Sequence, residues 1–195
     1  DFDEQTMFLN TSADTVGIGT NAPASKLDVR GTMQVGVNDT GYDVKFFGAS
    51  ALAFMEWDES ADELEIRGPV ATPGKLLLST AEPSVVFGNK LGQIDFQAPV
   101  DTAGTDAILV GASIYAEADA TFSSSVNSTD LVFATGDSAA ATEKMRIDSI
   151  GNVGMGITPS NWNTSFRGMQ IGNSAFVMSD LDTTNNNCSF GTNAY

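Results

Sequence analysis

The chain contains no histidine and one cysteine, Cys188. A single cysteine cannot close a disulfide within the chain, and it reads as a small buried or half-buried residue. A catalytic thiol normally needs a base beside it, usually histidine. The missing histidine also removes Ser-His-Asp triads and most zinc sites. Basic residues are scarce: 9 Lys and Arg stand against 25 Asp and Glu, a formal charge of −16. Such a surface repels phosphate backbones, so no nucleic-acid partner is expected. Its plain role is solubility. No apolar run approaches the ~20 residues of a membrane helix, so no membrane insertion is expected. No signal peptide is visible and the chain begins at Asp1, which reads as a processed product or a piece of something longer. Sustained helical periodicity is missing as well. The 195 residues, 42% of them hydrophobic, allow one or two domains with a thinly spread core.

What is present is a succession of short alternating runs. From Lys26, residues Leu27, Val29, Met33 and Val35 fall on one side, and Asp28, Arg30, Thr32 and Gln34 on the other. Period two with one wet face predicts a half-buried antiparallel strand. Turn residues Asn38, Asp39 and Gly41 precede a strand over Val44 and Phe46 that Gly48 ends. The run "ALAFMEW" predicts a further strand, "DESADE" a turn, and Leu64 with Ile66 a fourth strand. Trp57 is expected to cap one end of this small core, with ligand stacking as the sharper reading. Beyond Pro69 and Pro73, strands are expected near 75–79, 84–88 and 92–97, with a loop over "APVDTAGTDA". Strands follow in "AILVGASIYAEA", "DLVFATG" and "NSAFVMSDLD". The run "DSAAATEK" reads as a loop or one helical turn. The tail "TTNNNCSFGTNAY" is polar and expected to be poorly ordered.

One device occurs twice. Met7-Phe8-Leu9-Asn10-Thr11 matches Met145-Arg146-Ile147-Asp148-Ser149, and after a turn Val16-Gly17-Ile18-Gly19 matches Val153-Gly154-Met155-Gly156. Pro23 and Pro159 follow. By sequence, Arg30-Gly31-Thr32-Met33 then aligns with Arg167-Gly168-Met169, so Met169 and Ile171 take the places of Met33 and Val35. The second copy is one residue shorter in its first turn and reads as shorter after the proline. On a pleated strand Val16 and Ile18 share one face, and Gly17 and Gly19 leave the opposite face bare. Glycine within a strand costs stability, so a bare face usually means that another backbone comes close. That backbone is either the chain's own, at a bulge or bend, or a neighbouring subunit's. These eight residues, Val16 to Gly19 and Val153 to Gly156, are the candidate structural and interface residues.

The stretches "EKMRIDSIGNVGMGITPS" and "DTVGIGTNAPASKLDVRG" resemble a repeat common in bacteriophage tail fibres and related virion structural proteins. "YDVKFFGASALAFMEWDESADELEIRG" and "LGQIDFQAPVDTAGTDAILVGASIYAEADATF" resemble further phage structural segments. Together these cover most of residues 1–178. Met155 and Ile157 depart slightly from the commonest form of the repeat without changing its polarity. The resemblance implies an all-β chain of short antiparallel strands, arranged as stacked repeat modules of an elongated homotrimeric fibre. Its modules would be 1–36, 37–68, 69–144 and 145–178, with 179–195 a polar tail or the start of a further module. It implies a place on the virion surface, assembly in the host cytoplasm, tail or baseplate proteins as partners, and a host glycan or protein as receptor. Many such fibres end in a self-cleaving chaperone domain, which the sequence does not display. A head fibre or capsid decoration protein, a tailspike glycan depolymerase and a bacterial surface adhesin are the alternatives.

Other chemistry is thinly supported. Glu56, Asp58, Glu59, Asp62, Glu63 and Glu65 form an acidic cluster. Glu63 and Glu65 on one strand face would lie about 7 Å apart, within the ~6.5–9.5 Å of an inverting glycosidase pair. They are equally the wet face of a strand whose dry face is Leu64 and Ile66. "DESADE" lacks the spacing and central glycine of an EF-hand loop, and "GNKLGQ" is not a phosphate loop. Asn10 and Asn127 stand in glycosylation sequons that carry no meaning for a protein made in bacterial cytoplasm. No catalytic residue, metal or cofactor is expected.

Overall fold

The computed structural model describes residues 7–162, 165–180 and 188–192. Every regular element among them is a β-strand. The chain divides into two compact units, Asp1–Leu76 and Leu77–Tyr195.

The first unit holds two three-stranded sheets. In one, β1 (Met7–Asn10) pairs antiparallel with β2 (Thr15–Ile18), and β2 pairs parallel with β3 (Leu27–Val29). In the other, β4 (Val44–Phe47), β5 (Phe54–Asp58) and β6 (Glu63–Arg67) form an antiparallel meander. Asp58 makes the β5–β6 turn. Its Oδ1 accepts the Ser60 N–H, the Ser60 hydroxyl and the Ala61 N–H, so the carboxyl titrates below its ordinary range. Asp62 closes the turn with positive φ, which Asp tolerates better than most residues.

The second unit is built on one eight-stranded sheet of successive neighbours. Its strands are β7 (Lys90–Gln97), β8 (Val110–Ala118), β9 (Thr129–Thr135), β10 (Thr142–Ile147), β11 (Val153–Met155), β12 (Phe166–Ile171), β13 (Ala175–Asp180) and β14 (Cys188–Thr192). All its pairs are antiparallel except β11 with β12. The sheet draws strands from three stretches that the sequence separates, 69–144, 145–178 and 179–195. The rest of the polar tail, 181–187 and 193–195, lies outside the described residues.

Several local expectations need correction. The strand expected from Lys26 to Val35 ends at Val29. Its partner β2 gives out at Gly19, where φ is +73°, and the last bond runs from the Arg30 N–H to the Ile18 carbonyl. Met33 and Val35 therefore stand exposed outside any strand. No strand forms at 75–79 or 84–88. Pro83 interrupts that stretch, and its backbone makes isolated bonds, from the Phe122 N–H to the Val85 carbonyl and from the Gly88 N–H to the Ala118 carbonyl, rather than a continuous ladder. The strand in "ALAFMEW" begins only at Phe54, because Leu52 adopts positive φ in the preceding turn. Thr142, Glu143 and Lys144 belong to β10 rather than a helical turn, because β9 is there to receive them. Cys188 is exposed, since β14 is the outermost strand.

Candidate functional site

The two matching stretches fold with the same pairing. Phe8 lies opposite Gly17, and Arg146 opposite Gly154, in the first hairpins. Each hairpin turn is organised by a residue at the end of its first strand, Asn10 as the last of β1 and Asp148 as the residue that follows β10. Asn10 Oδ1 accepts the Ser12 and Ala13 N–H groups. Asp148 Oδ1 accepts those of Ile150 and Asn152. These are Asx turns, in which a short polar side chain imitates the backbone. In each turn the residue two before the valine, Asp14 or Gly151, has positive φ. After the hairpin the chain crosses over and returns as the parallel partner, β3 or β12.

The two glycines of each device do different jobs. A Cβ on Gly17 would run into the carbonyl of Thr20, and one on Gly154 into the carbonyl of Ile157 and the ring of Pro159. The backbone lying against the bare face is therefore the chain's own crossover turn, at equivalent places in both copies. Gly19 and Gly156 have φ of +73° and +69°, a conformation that side chains disfavour. They start the crossover.

A second match involves side chains. Asp28 Oδ2 accepts the Ala24 N–H at 2.9 Å, and Gln170 Oε1 accepts the Ser160 N–H at 2.9 Å. Ala24 and Ser160 each follow the proline. Asp28 pairs with Gly17 and Gln170 with Gly154, so each acceptor fills space beside the glycine. This register revises the alignment by sequence. The counterpart of Met169 is Leu27, not Met33, and that of Ile171 is Val29, not Val35. The second copy is then longer after its proline.

On the side of the large sheet that carries Gln170, the centre is buried and holds polar groups. Val132, Arg146, Gly154 and Gln170 form a row across it. Arg146 is buried among three carboxylates. It donates to Asp130, to Glu143 at 2.6 and 2.9 Å, and to Glu117 at 3.1 Å. The hydrogen bonds that Arg146 donates to these carboxylates, Glu143 first, hold it charged. Asp130 is 1% exposed. Burial pushes its carboxyl up, and the bond from Arg146 only partly offsets this. Nothing in the sequence announced this cluster, because its members come from three strands.

The opposite side is apolar and open. One row across it contains Ile94, Ile114, Phe133, Met145, Met155 and Ile171. The next contains Leu131, Ile147, Val153, Met169, Val177 and Phe190. Met155 is 41% exposed, Ile171 50% and Phe190 78%. Both small sheets also expose apolar side chains, the second on both faces, since Phe47, opposite Phe54, is 78% exposed on the face away from Met55. Leu9, Ile18 and Leu27 stand exposed on the first, and Phe46, Met55, Trp57 and Leu64 on the second. Trp57 is thus part of an open face, not the cap of a buried core. Of the eight candidate residues, Val16 and Ile18 belong to the exposed face of their sheet, and Val153 and Met155 to that of theirs, while Gly17 and Gly154 lie beneath their own crossovers.

Three members of the acidic cluster of residues 56–65 have structural partners, Asp58 in the β5–β6 turn and two in ion pairs. Glu56 pairs with Lys45 at 2.6 Å and Glu65 with Arg67 at 2.8 Å. Lys45 and Arg67 each lie 4.4 Å from the Phe54 ring centroid, a cation–π arrangement. Among the described residues, no three His, Cys, Asp or Glu side chains converge as metal ligands would, and no helix is long and apolar enough to cross a membrane. No protein-family model matches the chain, and no curated protein matches it.

Proposed function

We propose that the chain is a structural segment of a bacteriophage virion, most specifically of a tail fibre that carries host-receptor adhesion, and that it works as a homotrimer without enzymatic activity. One observation carries this reading: the chain encloses almost no apolar core of its own. Among the described residues, the buried hydrophobic ones are Ala118, Val132 and Ala134. Three small side chains cannot offset the conformational entropy of ordering so many strands. Sheets that leave their apolar faces outward gain that stabilisation from other chains. The doubled hairpin-and-crossover unit supports the same conclusion, since short repeated β units that cover one another make a stiff rod from modest parts. The acidic surface, of formal charge −16, fits a particle part exposed to solvent. In this reading the assembled rod transmits attachment from its tip to tail or baseplate proteins.

Two measurements test the proposal. Light scattering of the purified protein should give about three times the 20.4 kDa chain mass. Gold-labelled antibody against the chain should decorate the fibres of the phage particle. A folded, stable monomer, or label confined to the head, would overturn it.

A further inference from the structure

We infer that the apolar face of the eight-stranded sheet, on the side away from Arg146 and Gln170, is covered by other copies of this same chain. The inference rests on the self-assembling reading above and adds the contact surface to it. The face is continuous. Its two rows pass from strand to strand in register, from Ile94 on β7 to Phe190 on β14, without a charged side chain in either. The ion cluster of Arg146 with Asp130, Glu117 and Glu143 is turned to the other side, and the charged residue that borders the two rows on β12 is Arg167, opposite Ser179 beside Met169.

Size argues for a stable contact. Eight strands at ~4.8 Å span about 38 Å, and two rows about 14 Å along the strands. The projected area is on the order of 500 Å², and side-chain relief brings it towards the ~800 Å² per partner of a specific interface. That projected area is at the upper end of the ~300–600 Å² of the largest apolar patch on an ordinary monomer, which is often functional. Charge argues for the occupant. A chain of formal charge −16 would attract a basic partner through its acidic surface, but this face offers such a partner nothing. It suits a neutral, flat, apolar surface, and the same chain displays one. Sheets pack face to face at ~10 Å with interdigitated side chains. Met145, Met155 and Met169, long and unbranched, adapt readily to such packing. The carboxylates Glu117, Asp130 and Glu143 then point away from the contact.

The test uses the full chain. Met155→Asp and Ile171→Asp place a carboxylate in the middle of the face, and Asn173→Asp places one in an exposed turn beside it. Mass is read by light scattering, and strand content by circular dichroism. The face variants should dissociate, with an apparent affinity reduced about 100-fold or more, while Asn173→Asp assembles like the parent. A photo-crosslinking residue at position 155 of the otherwise unaltered chain gives a second measurement that does not depend on how well the aspartate variants fold. It should capture a second copy, with the attachment mapped to β9–β14 of that copy. Parent protein that is monomeric overturns the assembly reading itself. Oligomeric parent whose face variants assemble normally, or whose crosslinks land elsewhere, overturns only the assignment of this face.

Discussion

The side-chain oxygen of Gln170 accepts the backbone N–H of Ser160 at 2.9 Å, and the glutamine is 1% exposed. A half-buried loop amide and a buried strand side chain thereby satisfy each other. Gln170→Leu keeps the volume and removes the acceptor. An unsatisfied buried donor costs about 1–3 kcal/mol, so melting of the assembled protein should fall accordingly. The equivalent change in the first copy, Asp28→Ala, falls at an exposed site and should cost less. Thermal scans of the two variants beside the parent check both the size and the order.

The glycines separate by mechanism. Gly154→Ala pushes a methyl group against the Ile157 carbonyl and Pro159, an overpacking that costs about 1–3 kcal/mol. Gly17→Ala should behave alike against Thr20. Gly156→Ala meets open space and pays only for its positive φ, about 1 kcal/mol. Gly31→Ala, with open space and no such φ, is the neutral control. The loss in denaturant midpoint should be larger for Gly154→Ala and Gly17→Ala than for Gly156→Ala, and larger for Gly156→Ala than for Gly31→Ala. Equal losses at all four positions would remove the distinction between room and conformation.

Arg146→Met leaves three carboxylates facing one another without their cation. Removing one partner of a buried ion cluster costs about 3–5 kcal/mol. Far-UV circular dichroism during urea titration should show the loss. The double change Arg146→Met with Asp130→Leu should recover part of it, because the most buried carboxylate is then gone.

Asp130 also sets a pH dependence. Its folded pKa lies above the ordinary 3.8 through burial, with Asp119 adding to the rise and Arg146 opposing it. A raised carboxyl contributes stability that is fully present below the unfolded pKa and is lost as pH rises through the folded one. The stability of the parent relative to Asp130→Asn should therefore increase as pH is lowered from 7 towards 4. Asp28, Asp58 and Asp95 titrate in the opposite sense. Their pKa values are depressed, by the Ala24 N–H, the Ser60 hydroxyl and the Ser113 hydroxyl respectively. Their contributions are present above 3.8 and vanish as pH falls through the lower folded values. Melting temperatures of parent and variant across this range check the sign. A parent advantage that shrinks towards pH 4 would contradict it.

The absence of helical period, the alternation of Leu64 and Ile66 with glutamates, and the polar turn at "DESADE" determine strands and hairpins locally, and the structure has them. The doubled Val-Gly-Ile-Gly device was equally plain, because near neighbours on a pleat share faces by geometry alone. What lay against its glycines was not. The covering carbonyls of Thr20 and Ile157 arrive through a crossover whose path depends on where the returning strand finds its ladder. The same cause shifted the counterpart of Met169 from Met33 to Leu27. A parallel partner is chosen by ladder bonds across a loop, and loops of different length carry no register in their sequence. Arg146 gathers Glu117 and Asp130 from β8 and β9 because three strands happen to be neighbours, a fact that exists only once the sheet is ordered. The outward turn of the apolar rows has the same origin. Alternation says that two faces differ, but only the crossovers, which close over Gly154 and Gln170, decide which of the two is left open.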